Sequence, residues 1–298
     1  MKKLISVLLS VVMLISCFYG CSKQANTSKS DFILKYTLDS HYSTADEATL
    51  RSYEKFCSAV ENGEPEVKIS ASMIDAVTQL FYTCFPLYPL VKSMAPLENG
   101  AGFSLTYTND IDTHNALVAQ FKNKISDIMN ECSYGKVNVN EYIFNVYTYI
   151  TQNFTLDNNA SSTFDTIINS KGHYSYVNSA FEYLALQGGG RACHVVNYDG
   201  ASTIISTVKF NDEWYFFDPA AEISDNSGKA LKYFAMNNKD VKSIYSTDSF
   251  LYTDGQKIEK IKNDTYKELR NSTSFTADNS QVKVTISGKN DDFIINFK

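Results

Sequence analysis

The chain is poor in the residues most often used for chemistry at neutral pH. It has four histidines in 298 residues, and none follows His194. It has a single tryptophan, Trp214. The six cysteines show no CxxC spacing and stand beside no histidine cluster, which argues against a zinc site and leaves no metal or cofactor to expect. Charge is also one-sided: 27 basic against 33 acidic residues give a net charge of −6, and no Lys/Arg stripe runs along the chain. A protein that tracks a phosphate backbone needs such a stripe, so nucleic acid is not an expected partner. Gly188, Gly189 and Gly190 lack a following Lys-Ser/Thr and come after a helical segment, so they read as a helix stop and not as a phosphate cradle. The apolar run at 4–16 is shorter than the roughly 20 residues that a membrane-spanning helix requires.

That run does carry an export signal. Lys2 and Lys3 precede it, and small and polar residues follow it. "LISC", ending at Cys17, resembles the lipobox of bacterial lipoproteins, in which the cysteine is lipidated and becomes the new N-terminus. Cys21 is the rival; it follows Gly20 and is trailed by the Ser/Asn/Lys-rich tether "SKQANTSKS". The expected location is therefore the outer face of the cell membrane, held by lipid on Cys17 or Cys21. An ordinary secreted protein with cysteines in its signal is the alternative. Four further cysteines, Cys57, Cys84, Cys132 and Cys193, lie beyond this segment and allow three disulfide pairings, although Cys57 and Cys132 fall on apolar helix faces and read equally well as buried thiols.

Hydrophobic residues make up 44% of the chain, enough for one large domain or two small ones. The first half reads as helical. "STADEATLRSYEKFCSAVENG" places Thr44 and Glu47 at capping-box spacing, with Leu50, Tyr53, Cys57 and Val60 on one face and a stop at Asn62-Gly63. A short strand, a second helix and an aromatic turn at Pro86 and Pro89 follow, then the alternating strand "FSLTYT". A long helix buries Leu117, Phe121, Ile125 and Ile128, and another opens on the Asn138/Glu141 pair. After a loop, the second half reads as a helix from near Tyr174, the strand "RACHVVNY", a hairpin turning at Asn211-Asp212 into Asp218-Pro219, a helix or loop at "KYFAMNNKDVKS", and a closing hairpin. The expected divisions are 1–21 signal, 22–40 tether, 41–134 helical region, 135–250 core and 251–298 β segment.

The order "TQNF", "TFDTIINSKGHYSYVNSAFEYLALQGGGRACHVV" and "VKFNDEWYFFDP" resembles the transglutaminase-like, papain-related core, over about 135–245. The resemblance implies an α+β fold, a central helix packed on an antiparallel sheet, preceded here by a helical N-terminal region. In that family a Gly-x-Cys opens the central helix, a His lies on the next strand, and an Asp before Pro completes the triad. The helix N-terminus stabilises the thiolate, the His takes its proton and the Asp orients the imidazole. Matched position by position, Gly172 keeps the glycine, Tyr174 stands where the cysteine belongs, Thr203 stands where the histidine belongs, and Asp218 alone is retained.

A different register does not restore the triad. Ser175 is turned by about 100° from Tyr174 on a helix. Cys193 and His194 are neighbours on a strand and point to opposite faces. His173 reads as a rim residue of the former cleft. The expectation is a surface lipoprotein that has lost its chemistry and serves by binding a protein or cell-wall ligand or as a structural domain. The alternative is a cysteine- or serine-dependent hydrolase or transamidase with a displaced nucleophile, Cys193 or Ser175. Two structural expectations follow: the Tyr174 hydroxyl near Thr203 or Asp218, and one face of the Trp214 strand in the core.

Overall fold

The computed structural model describes residues 34–36, 46–98, 100–197, 204–246, 250–252, 257–278, 280–289 and 293–297, with the side chains of 193–197 outside that description. Cys17, Cys21, Thr44, Thr203 and the side chains of Cys193 and His194 therefore lie outside the described residues. Helix α1 (Glu47–Glu61) is capped by Asp46, whose carboxylate accepts from the Thr49 amide at 2.7 Å. The cap is thus Asp46 where the sequence suggested Thr44; an ionised carboxylate serves the helix N-terminus at least as well as a hydroxyl. Tyr53, Cys57 and Val60 are buried on its inner face as expected.

Strand β1 (Glu66–Val67) leads into α2 (Ile74–Cys84), then β2 (Val91–Pro96) and β3 (Phe103–Tyr107). They form a small antiparallel sheet in the order β1-β3-β2. Helix α3 (Ile111–Glu131) buries Val118, Phe121, Ile125 and Ile128, with Leu117 only half-buried, and α4 (Val139–Asn153) opens on Asn138, which accepts from the Glu141 amide at 2.9 Å. Glu141 turns away from its capping partner and accepts from Ser280 Oγ, tying α4 to the C-terminal sheet.

The segment read as a loop contains a helix, α5 (Thr163–Asn169), between two short parallel strands, β4 (Thr155–Leu156) and β5 (Lys171–Gly172). Ser162 caps α5 and Ser170 ends it in the left-handed conformation. Helix α6 (Tyr174–Gln187) follows immediately and packs on β6 (Ala192–Asn197) and β7 (Ile204–Phe210). The chain needs glycine at 172, where a Cβ would meet the Thr166 side chain at 2.4 Å, so this residue sets how closely α5 and the start of α6 approach.

Strand β7 turns at Asn211 and Asp212, both with positive φ, into β8 (Glu213–Phe217). This is the backbone geometry of the favoured two-residue hairpin turn. Helix α7 (Pro219–Ser224), α8 (Asn238–Tyr245) and β9 (Phe250–Tyr252) complete the main antiparallel sheet, in the order β8-β7-β6-β9. After α9 (Lys267–Arg270), strands β10 (Ser274–Asp278), β11 (Gln281–Thr285) and β12 (Phe293–Asn296) make a three-stranded sheet where a hairpin was expected. The fold is α+β, with a central helix on an antiparallel sheet.

Aromatic rings hold these layers together. Phe234 meets Phe217 at 5.0 Å, Tyr147 at 5.0 Å and Phe210 at 5.3 Å, all close to perpendicular. Such edge-to-face contacts add to the area they bury. Tyr215, Phe216 and Phe217 are buried, but Trp214 is only half-buried, with the Arg191 guanidinium 5.6 Å above its ring. The strand contributes both its faces to the interior only from Tyr215 onward; at Trp214, beside the turn, its side chain reaches the edge of the sheet.

Candidate functional site

Asp218 is fully buried at the end of β8, where the chain passes from strand to helix. As the N-cap of α7 its Oδ1 accepts from the Ala221 amide at 2.9 Å, and Pro219 takes the first helical position. Helix α6 approaches from the other side. Asn178 sits one turn after Tyr174 on the same face, donates through Nδ2 to Asp218 Oδ1 at 3.0 Å and accepts from the Ala220 amide at 3.1 Å. The Tyr174 hydroxyl donates to Asp218 Oδ2, and so does the hydroxyl of Tyr245, the last residue of α8.

Neighbouring groups fix this arrangement. Helix α8 opens on a capping box between Asn237 and Asp240, and Asp240 is held by Arg270 Nη2 at 2.8 Å. That guanidinium also donates to the Ala235 carbonyl at 2.7 Å. Below Asp218, Glu222 accepts from the amides of Lys232 at 3.0 Å and Tyr233 at 2.8 Å and from the Tyr147 hydroxyl at 2.7 Å. The Asp218 amide itself donates to the Tyr233 carbonyl at 3.1 Å.

Electrostatics follow from burial. Removal from water pushes the Asp218 carboxyl above its ordinary 3.8, while the hydroxyls of Tyr174 and Tyr245 pull it back. Glu222 is raised from 4.5 for the same reason. Burial and the Asp218 charge together drive the hydroxyls of Tyr174 and Tyr245 far above 10, so both remain protonated donors. A carboxylate offers about four lone-pair directions, and Asp218 receives four donors.

The structure thus brings together two of the three matched positions, Tyr174 and Asp218; Thr203 lies outside the described residues. Ser175 faces away from this cluster. With Tyr176, Ser179, Glu182 and Tyr183 it lines a cleft of about 330 Å³ closed on the opposite side by the end of α2. His173 is the N-cap of α6, exposed, with Nδ1 accepting from the Ser175 amide at 3.4 Å and lying 3.0 Å from Ser175 Oγ. On β6, Cys193 pairs with Thr207 and His194 with Ser206, neighbouring register positions that alternate between the two faces of the sheet. Cys57 and Cys132 are buried thiols outside any disulfide. Among the described residues no group of His, Cys, Asp and Glu side chains is placed to hold a metal ion, and no helix is long and apolar enough to cross a membrane.

Tyr245 and Asn178 are the site residues that sequence reasoning missed. Asn178 left a signal, a polar side chain between Val177 and the Ala180-Phe181 pair on a buried helix, which calls for a partner. Tyr245 left none; it is one of 20 tyrosines, on a short helix at a sequence distance of 27 from its partner.

No family model matches the chain, and no curated protein matches it. Among solved structures, it is similar to a candidate cysteine protease from Cytophaga hutchinsonii, at 16% identity and a TM-score of 0.28, over 34% of this chain and 37% of that one, so the match spans little more than a third of the protease.

Proposed function

We propose that the chain is an exported, lipid-anchored surface protein whose core is a transglutaminase-like domain without its chemistry, acting by binding or as a structural domain. The observation that carries this reading is the saturation of Asp218. A triad aspartate must offer an oxygen to an imidazole. Here both oxygens are taken by Tyr174, Tyr245, Asn178 and the Ala221 amide. Tyr174, at the matched nucleophile position, is a neutral phenol held by that carboxylate, and among the described residues no imidazole stands beside its hydroxyl. The full chain, incubated with amide and ester substrates with and without an amine acceptor, should release no product. Turnover that vanishes in Cys193→Ala or Ser175→Ala overturns the reading.

One observation favours a serine-dependent alternative: His173 Nδ1 lies 3.0 Å from Ser175 Oγ. The pair is incomplete, because His173 is exposed, serves as a helix cap, and among the described residues has no acceptor at Nε2 to orient its ring. A fluorophosphonate probe decides between the two, since it labels an activated serine and leaves an ordinary one untouched.

Anchoring is tested separately. Replacing Cys17 and Cys21 together by Ser should release the protein to the medium or stall its processing, and unchanged partitioning with membranes rules the anchor out.

A further inference from the structure

The main sheet has two faces, and α6 packs on one of them. Along β8, Tyr215 and Phe217 belong to that side, where Phe217 meets the Phe181 ring of α6 at 5.5 Å. Side chains alternate along a strand, so Trp214 belongs to the other face. The strand register carries that face across β7 and β6 to Tyr252 on β9. An extended segment, 257–263, links these two outer strands. It leaves β9 where Lys257 bridges to Leu251, and it is fixed at Ile261, which accepts from the Asn238 amide at 3.0 Å and donates to Asn238 Oδ1 at 2.6 Å. With Trp214 and Glu213 of β8 it encloses a pocket of about 280 Å³, close to the lower end of small-molecule sites.

Two rings wall the pocket, Trp214 and Tyr252, both half-buried. The Arg191 guanidinium stands 5.6 Å from the indole without lining the pocket, so it steadies the ring from outside. Four exposed charged side chains form the rim: Glu213 and Glu259, Lys260 and Lys262. Among the described residues, none of the four has an ion-pair or hydrogen-bond partner for its side chain. Two acids against two lysines give the rim no net charge, which removes the field that would draw in an anion or a cation. What the rim offers is acceptors and donors side by side, since carboxylates accept and ammonium groups donate. A sugar hydroxyl does both. A pyranose ring also presents a face of C–H groups, and indole and phenol supply flat apolar surfaces with a polar edge on which such a face packs.

We propose that the pocket between segment 257–263 and the outer strands of the main sheet binds a neutral saccharide, with Trp214 and Tyr252 against its ring carbons and the two acids and two lysines on its hydroxyls. The proposal rests on the binding reading given above and supplies its ligand class. It involves neither Asp218 nor any residue of α6, and its test reads binding and not product. Absence of saccharide binding therefore leaves the inert site standing, and turnover at Ser175 or Cys193 leaves the pocket standing.

Trp214 is the single tryptophan of the chain, so its emission reports on this pocket alone. The test is a titration of the full chain with cellotriose, maltotriose and triacetylchitotriose, followed by tryptophan emission and by calorimetry. At least one of them should saturate, shift the emission and bind about tenfold or more tightly than sorbitol, which has the hydroxyls and lacks the ring. For that trisaccharide, Trp214→Ala should weaken binding about tenfold or more by calorimetry. Should this half-buried variant fail to fold, Glu259→Ala decides, since Glu259 is on the surface; it should weaken binding about three- to tenfold. The proposal is overturned by the absence of saturable binding, by sorbitol binding equally well, or by binding untouched in both variants. A galacturonic acid or glucosamine trimer that binds more tightly than every neutral trisaccharide overturns it as well.

Discussion

Two faces of the same helix, separated by about 100° of rotation, have opposite fates. The face carrying Tyr174 and Asn178 meets a buried carboxylate and leaves it with every lone pair used. The face carrying Ser175 and Ser179 looks onto a cleft. A fully satisfied polar network in a low-dielectric interior specifies one arrangement and resists change. A cleft walled by rings and hydroxyls has surface left with which to contact something else. The position that the family resemblance marks for a nucleophile holds a tyrosine bonded to that carboxylate, and the open surface begins one residue further round the helix.

The contrast is broken most severely at Asp218. Asp218→Ala orphans buried donors on Asn178 and the two tyrosines, at roughly 1 to 3 kcal/mol each where no relaxation occurs, and removes a helix cap worth about 1 kcal/mol. Partial relaxation of the half-buried Tyr174 brings the expected loss to about 3 to 5 kcal/mol, read from the urea midpoint. A loss below 1 kcal/mol would mean that the cluster supports nothing. Tyr245→Phe is next: it removes one hydrogen bond to a charged group, for about 1.5 to 3 kcal/mol. A combined Tyr174→Phe/Tyr245→Phe cycle should show coupling, since both hydroxyls share one oxygen.

Acidity sharpens the comparison further. The folded-state value of Asp218 is raised above its unfolded value, so its proton-linked stabilisation is complete below about 3.8 and is lost as pH rises through the raised folded value. The stability of the parent relative to Asp218→Asn should therefore decline with rising pH across that window, in unfolding titrations run in parallel; a rise would contradict the assigned direction. Glu222→Gln should behave alike. The smallest effect belongs to the open face: Ser175→Ala should change stability by no more than about 0.5 kcal/mol, whereas a larger loss would place Ser175 among the supports.

Much of the fold was legible because its signals are local. Asn138 announces α4, the Asn211-Asp212 turn announces the β7–β8 hairpin, and Gly188 marks the end of α6. Helix α5 was missed because seven residues give too short a periodic pattern to separate from a loop. Strand β10 was missed because nearly all of its side chains are exposed, which removes the alternation that marks a strand. The candidate site was half legible. The Tyr174 hydroxyl was expected near Thr203 or Asp218, and it meets Asp218. Tyr245 was invisible because its place in the cluster depends on how α8 docks, which no short-range pattern encodes.

The four donors to Asp218 also have a consequence for the order of events in folding. Three of them come from side chains 44, 40 and 27 residues away along the chain, and only the Ala221 amide is local. Contacts that close long loops form only after the elements bearing them have come together. We expect substitutions at Asp218, Asn178 and Tyr245 to steepen the rate of unfolding and leave the rate of folding nearly unchanged, with fractional transition-state values near zero in denaturant-jump kinetics. The Asp218 cluster would then act as a latch, formed last and released first, governing how long the folded chain persists.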